Sequence, residues 1–117
     1  MRTIVAFAAT VLMIAPANAA MWRCEFAATQ SCSIAGCQRI SPSVYVDLDL
    51  VAGTYSRCDR SRCDHFTARV SGSGQFVTFD IPGAGAMAKV TRDGSALTEI
   101  LTIGHTAYLS FGACQSQ

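Results

Sequence analysis

Thr54-Tyr55-Ser56-Arg57-Cys58-Asp59-Arg60-Ser61-Arg62-Cys63-Asp64-His65 holds two cysteines with four residues between them. Set Cys58 opposite Cys63 across a four-residue hairpin loop. Opposed residues in an antiparallel ladder have Cα atoms about 4.5–5.5 Å apart, a separation that a disulfide tolerates. The same register predicts Arg57 opposite Asp64, Tyr55 opposite Phe66, Thr54 opposite Thr67 and Val51 opposite Val70. Each is a favourable cross-strand pair. Residues 53–70 therefore read as a central β-hairpin. Tyr55, Phe66, Ala68 and Val70 are expected on its core face. Ser56, Cys58, Cys63, His65, Thr67 and Arg69 are expected on its outer face.

Upstream, the chain begins as an export signal does. Arg2 supplies the positive end, Ile4 to Ala15 the apolar stretch, and Ala17-Asn18-Ala19 the small-residue cleavage pattern. Pro16 and Asn18 interrupt the run before the roughly 20 apolar residues that a membrane-spanning helix needs. Residues 1–20 are thus expected to be a signal peptide and residues 21–117 a single domain, periplasmic or secreted. All six cysteines fall in the second part. In an exported chain of this length an even cysteine count implies a disulfide scaffold, because a small core gains from cross-links of about 2–4 kcal/mol each. The expected pairs are Cys58–Cys63, Cys32–Cys37 and Cys24–Cys114. The last would join the first and last strands.

Removing Arg2 from the nine basic residues leaves eight against eight acidic ones. That balance argues against nucleic acid or an anionic membrane as the main partner.

The remaining elements follow from alternation. Met21 to Ala28 is a strand with Trp22, Cys24 and Phe26 on one face. Residues 28–41 are a loop or short hairpin tied by Cys32–Cys37. Val44, Val46, Leu48 and Leu50 alternate with Tyr45, Asp47 and Asp49. Ser71-Gly72-Ser73-Gly74 is expected to be a four-residue turn that sets Ala68 against Val77, Phe66 against Phe79 and Phe76 beside Arg69. Asp93-Gly94, a strong hairpin signal, sets Val90 against Leu97 and Ala88 against Glu99. Gly104-His105 turns into a last strand, Thr106 to Gly112. There the pattern conflicts. Ala107, Leu109 and Phe111 form an apolar face, yet a two-residue turn pairs them with Thr102, Ile100 and Thr98. Either a bulge shifts the register or the strand is buried on both sides. The total, seven or eight antiparallel strands without a helix, implies an all-β sandwich or up-and-down barrel.

Four groups of residues invite a chemical reading. The disulfide-pinned tip presents Arg57, Arg60 and Arg62, with His65 beside them. Guanidinium forks suit another protein's carboxylates or an anionic ligand. The plainer alternative is a solvated hairpin end whose arginines pair with Asp59 and Asp64. Cys58, Cys63 and His65, or Cys58 and Cys63 with Cys32 and Cys37, offer zinc donors, but an oxidising compartment favours disulfides, so no metal or other cofactor is expected. Glu99 stands among Leu97, Leu101 and Ile103. It is either a functional inward carboxylate, with Tyr108 and Ser110 near it, or a sign of an edge position or a slipped register. Asp47 and Asp49 share a strand face, a pattern open to calcium but usual for a solvent face. His65 and His105 belong to no nucleophile motif.

Trp22-Arg23-Cys24, the Thr54 to His65 stretch and the closing Phe111-Gly112-Ala113-Cys114 together resemble uncharacterised small exported proteins of Gram-negative bacteria. That likeness covers most of the mature chain and implies no activity. The early and late cysteines, Cys24 and Cys114, and the strand-rich layout also resemble the periplasmic inhibitors of c-type lysozyme, which are small β-barrels. The inhibitors' S-G-x-x-Y loop is echoed by Ser71-Gly72-Ser73-Gly74-Gln75-Phe76 without its tyrosine. Their W-x-K-G segment is missing, so no inhibitory residue is carried across. The reading is a non-catalytic binding protein, in one form a hydrolase inhibitor. A small hydrolase using Glu99 or His65 and a structural envelope component are the alternatives.

Overall fold

The computed structural model describes residues 21–117, so the signal peptide expected over residues 1–20 lies outside the described residues. Period-two alternation gives ten strands in this region: β1 (Met21–Ser33), β2 (Gly36–Ile40), β3 (Tyr45–Asp49), β4 (Thr54–Cys58), β5 (Cys63–Thr67), β6 (Arg69–Ser73), β7 (Phe76–Ile81), β8 (Ala86–Thr91), β9 (Leu97–Ile103) and β10 (Thr106–Ser116). They form one antiparallel sheet in the order β5-β4-β3-β1-β10-β9-β8-β7-β6, with β2 added to β1. The two ends of that order, β5 and β6, are consecutive in the chain and separated only by Ala68. The first half of this bent run pairs with β4 and the second half with β7. Counting it as one stave, the sheet is an eight-staved, up-and-down antiparallel barrel, nearly closed.

The central hairpin stands in the expected register from Thr54↔Thr67 to Cys58↔Cys63. Val51 does not face Val70. The ladder stops where the Ala68 N–H donates to the Gly53 carbonyl (2.8 Å), and the chain then leaves β4 so that Val70 pairs with Phe79. The next turn is also tighter than expected. Only Gly74 and Gln75 separate Ser73 from its partner Phe76. The shift relative to the expected register is even, so every side chain keeps its face. Phe76 lies outside as expected, but its cation is Lys89, 4.4 Å from the ring centroid, while Arg69 pairs with Asp80.

Val90↔Leu97, Ala88↔Glu99, Ala107↔Thr102, Leu109↔Ile100 and Phe111↔Thr98 are all found. The conflict in the last strand resolves without a bulge there. β10 turns Ser110 inward, where it is 1 % exposed, and leaves Phe111 outside at 45 %. The bulge lies in the neighbouring strand instead. Phe26 pairs with Gly112 but Ala28 pairs with Phe111, so Ala27 is an extra residue. An extra residue reverses the inward parity of β1. Before it Trp22 and Cys24 are buried; after it Thr29 is. Close approach at the bulge explains Gly112. A Cβ there would collide with the backbone oxygen of Glu25 and the Cα of Phe26.

All three disulfides form as expected. Cys24–Cys114 closes the barrel seam between β1 and β10 across a sequence separation of 90, against 5 for each of the others. Residues 28–41 are a hairpin, with Cys32 opposite Cys37. Tyr55, Phe79, Leu48, Ile81, Val46 and Val90 are fully buried in the barrel interior.

Two outcomes follow for stability. Gly112→Ala should lower the unfolding free energy by about 3 kcal/mol, because backbone must shift to admit the methyl group; a denaturant midpoint measures it. By loop-closure entropy, replacing Cys24 and Cys114 by alanine should cost about 4.6 kcal/mol and replacing Cys32 and Cys37 about 2.2 kcal/mol. Chemical denaturation of the two double variants should preserve that order.

Candidate functional site

β4 and β9 are four staves apart in either direction around the barrel, so they face each other across its interior. Inward alternation puts Tyr55 and Arg57 on β4 and Glu99 on β9. Glu99, 1 % exposed, accepts a hydrogen bond from the Tyr55 hydroxyl at Oε2 (2.6 Å) and one from Arg57 Nη1 at Oε1 (2.5 Å). Arg57 Nη1 also donates to the Tyr55 hydroxyl (2.9 Å). The three side chains form a brace across the barrel. Next to it, Ser110 stands opposite Glu99 on β10, and its hydroxyl is 2.9 Å from that of Thr29.

Charge placement follows from this geometry. Burial raises the Tyr55 phenol well above its ordinary range, and the neighbouring Glu99 carboxylate raises it further. Burial works against the Arg57 guanidinium, but the contact with Glu99 outweighs it and holds the positive charge more firmly. A guanidinium and a carboxylate in direct contact balance one another, which offsets part of what their desolvation costs.

Arg57 reaches this brace from the end of the barrel where the 59–62, 82–85 and 104–105 turns gather. Its side chain is 21 % exposed and lines two adjoining hollows. One, of about 200 Å³, is walled by Ile40, Val44, Leu101, Ile103 and Tyr108, with Ser41 and Ser43. The other, of about 410 Å³, is walled by Phe66, Gly83 and Ala84 and by the acidic pair Asp59 and Asp64. Nη1 is spent on Glu99 and Tyr55. Nε and Nη2 have no acceptor among the described residues. No buried side-chain nitrogen among the described residues lacks a partner, so Nε and Nη2 keep contact with solvent, while the guanidinium carbon lies 5.8 Å from the Phe26 ring centroid.

The four side chains expected to bind do not share one surface. Arg57 points inward. Arg62 is exposed at the tip and pairs with Asp64 (3.0 Å). Arg60 is exposed at the tip. His65 is on the outer wall, where Nδ1 is 2.7 Å from the Ser56 hydroxyl. Asp59 organises the tip by accepting from the N–H groups of Ser61 (2.8 Å) and Arg62 (2.9 Å), which keeps its carboxyl below the ordinary range. Asp47 is held by both Nε and Nη2 of Arg23 (2.9 and 3.0 Å). Asp49 accepts from the Val51 and Ala52 N–H groups (2.9 Å each). Both are thus structural, and the cysteines weighed as zinc donors are all in disulfides.

The link between Arg57 and Glu99 is absent from the sequence reading, which sets Arg57 opposite Asp64 and offers the tip arginines only Asp59 and Asp64 as partners. Both neighbours are present: Asp64 faces Arg57 in the ladder. A signal existed in the parity. Arg57 lies two residues after the core-facing Tyr55, so it is the inward base that an inward Glu99 needs.

Comparison with protein-family models, with curated proteins and with solved structures finds no match for this chain.

The brace makes two testable statements. Arg57→Met leaves Glu99 buried and unpaired and should cost about 3–5 kcal/mol, whereas Arg57→Met with Glu99→Met should recover most of that loss. Thermal denaturation of the singles and the double measures the coupling. For Tyr55 the folded pKa lies above the unfolded one. Its contribution is therefore complete below about pH 10 and is lost as pH rises further. In a difference-absorbance titration, one tyrosine should stay un-ionised until alkaline unfolding begins, and Tyr55→Phe should remove that delayed step.

Proposed function

We propose that this chain is an exported, non-enzymatic binding domain, periplasmic or secreted, that takes its ligand at the barrel mouth. The observation that carries the reading is the divided guanidinium of Arg57. One nitrogen is clamped from below by Glu99 and Tyr55. The other two nitrogens keep solvent contact, and Arg57 lines a hollow with mainly apolar walls. A donor pair fixed in advance, set among apolar side chains, is what a small-molecule site needs: burial supplies affinity and the donors supply orientation. The complete pairing of the cysteines supports an oxidising compartment, as does the signal-like sequence before residue 21.

In this reading Arg57 contacts the ligand. Arg60 and Arg62 stand at the rim, and His65 lies on the outer wall. The inhibitor form, in which tip arginines enter an acidic cleft, has less behind it. Arg62 is spent on Asp64 and Arg57 on Glu99, and Asp59 and Asp64 offset the tip's charge. The hydrolase alternative asks Glu99 to move a proton, but both its oxygens are already engaged.

One observation favours a second reading, a structural envelope component. Outside the barrel, the cross-strand neighbours Met87 and Ile100 are 56 % and 49 % exposed. Sedimentation velocity at rising concentration tests it: self-association supports it, and a monomer throughout removes it.

The mouth reading is tested by amide chemical-shift mapping with a panel of monocyclic carbonyl compounds, neutral and anionic. Shifts should cluster at Val44, Arg57, Leu101, Ile103 and Tyr108, and should vanish in the Arg57→Met, Glu99→Met double variant. Shifts that are scattered, or absent for the whole panel, refute it.

A further inference from the structure

The smaller hollow sets Arg57 among Ile40, Val44, Leu101 and Ile103. Arg57 is the one charged residue in that wall. Its charge is already balanced by Glu99 underneath, so the hollow offers strong donors without a net positive field. The hollow that adjoins it adds the carboxylates of Asp59 and Asp64. An incoming anion would thus bring a second negative charge to the far side of a guanidinium that has one already. It would do so in a partly desolvated place, where unbalanced charge is most costly. An uncharged carbonyl oxygen can accept from the same N–H groups without that cost. Volume sets a further limit. About 150 Å³ holds a benzene molecule, so about 200 Å³ admits one ring, or a branched chain of similar size, with a small polar group attached.

We propose that the mouth selects small uncharged carbonyl compounds, amides or esters with a compact apolar body, over carboxylates of the same shape. The carbonyl accepts from the free edge of Arg57, and the body packs against Ile40, Val44, Leu101 and Ile103. Glu99 is then a specificity-determining residue: without touching the ligand, it cancels the charge that would otherwise attract an anion. The inference rests on the mouth being the binding end.

Benzamide and benzoate, nearly equal in shape and unequal in charge, separate the possibilities. Each is titrated into isotope-labelled, fully oxidised protein at neutral pH and followed at the mouth amides. Benzamide should bind about tenfold more tightly than benzoate. In Glu99→Gln, which leaves the Arg57 charge uncancelled, the order should reverse. Benzoate binding the wild-type protein as well as or better than benzamide overturns the ligand class and leaves the mouth reading standing. No binding of either overturns the ligand class, and the mouth reading falls with it only if the wider panel also leaves the mouth amides unshifted. An unchanged order in a folded Glu99→Gln variant overturns the role of Glu99. Should that variant not reach the oxidised native fold, the wild-type order alone decides the ligand class.

Discussion

A carboxylate sealed inside a small barrel must be balanced, and most of what is distinctive in this structure follows from that. Glu99 is neutralised by a cation from the opposite side of the barrel and takes a further hydrogen bond from Tyr55. Apolar side chains of similar volume would fill the same space without the desolvation cost. The brace does something that such packing would not. It ties two opposed walls together at defined atoms, and it holds a guanidinium that also lines the mouth.

Placing that brace requires consistent inward parity on strands far apart in the chain. The bulge at Ala27 is part of how it is achieved. It turns the second half of β1 so that Thr29 faces inward and meets Ser110, beside Glu99. Gly112 permits the close approach, and the Cys24–Cys114 bond holds the seam two residues away. On the opposite wall, the single run from Cys63 to Ser73 changes partner at Ala68 without changing parity. Phe66 and Val70 consequently stay on the core side. The barrel is nearly closed by bending one strand, with no extra connection.

Much of this was legible in the residues. The Cys58–Cys63 spacing located the central hairpin. Asp93-Gly94 and Gly104-His105 set the next two registers, because short turns leave little freedom in which residues face one another. The Ser71–Gly74 segment misled, since a glycine-rich stretch serves a two-residue or a four-residue turn equally well. The apparent conflict in the last strand arose from treating Phe111 as core by its chemistry, although the turn already placed it outside. Exposure of a single large apolar side chain is common enough that chemistry should have yielded to geometry there.

By itself, the sequence determined the all-β class, pointed to the two cysteine pairs that close short loops, and set most of the strand partners. These depend on alternation, turn length and spacing along the chain, which are local quantities. Tertiary structure alone decided that the sheet curls into a barrel and that Arg57 leaves the arginine-rich tip for the interior. It also decided that Glu99 is inward and paired, when the sequence pointed rather to an edge position or a slipped register. The physical reason is distance along the chain. Arg57 and Glu99 lie 42 residues apart on strands that share no ladder, so no pairing rule connects them. They meet only because closure brings opposite walls within reach of a single guanidinium.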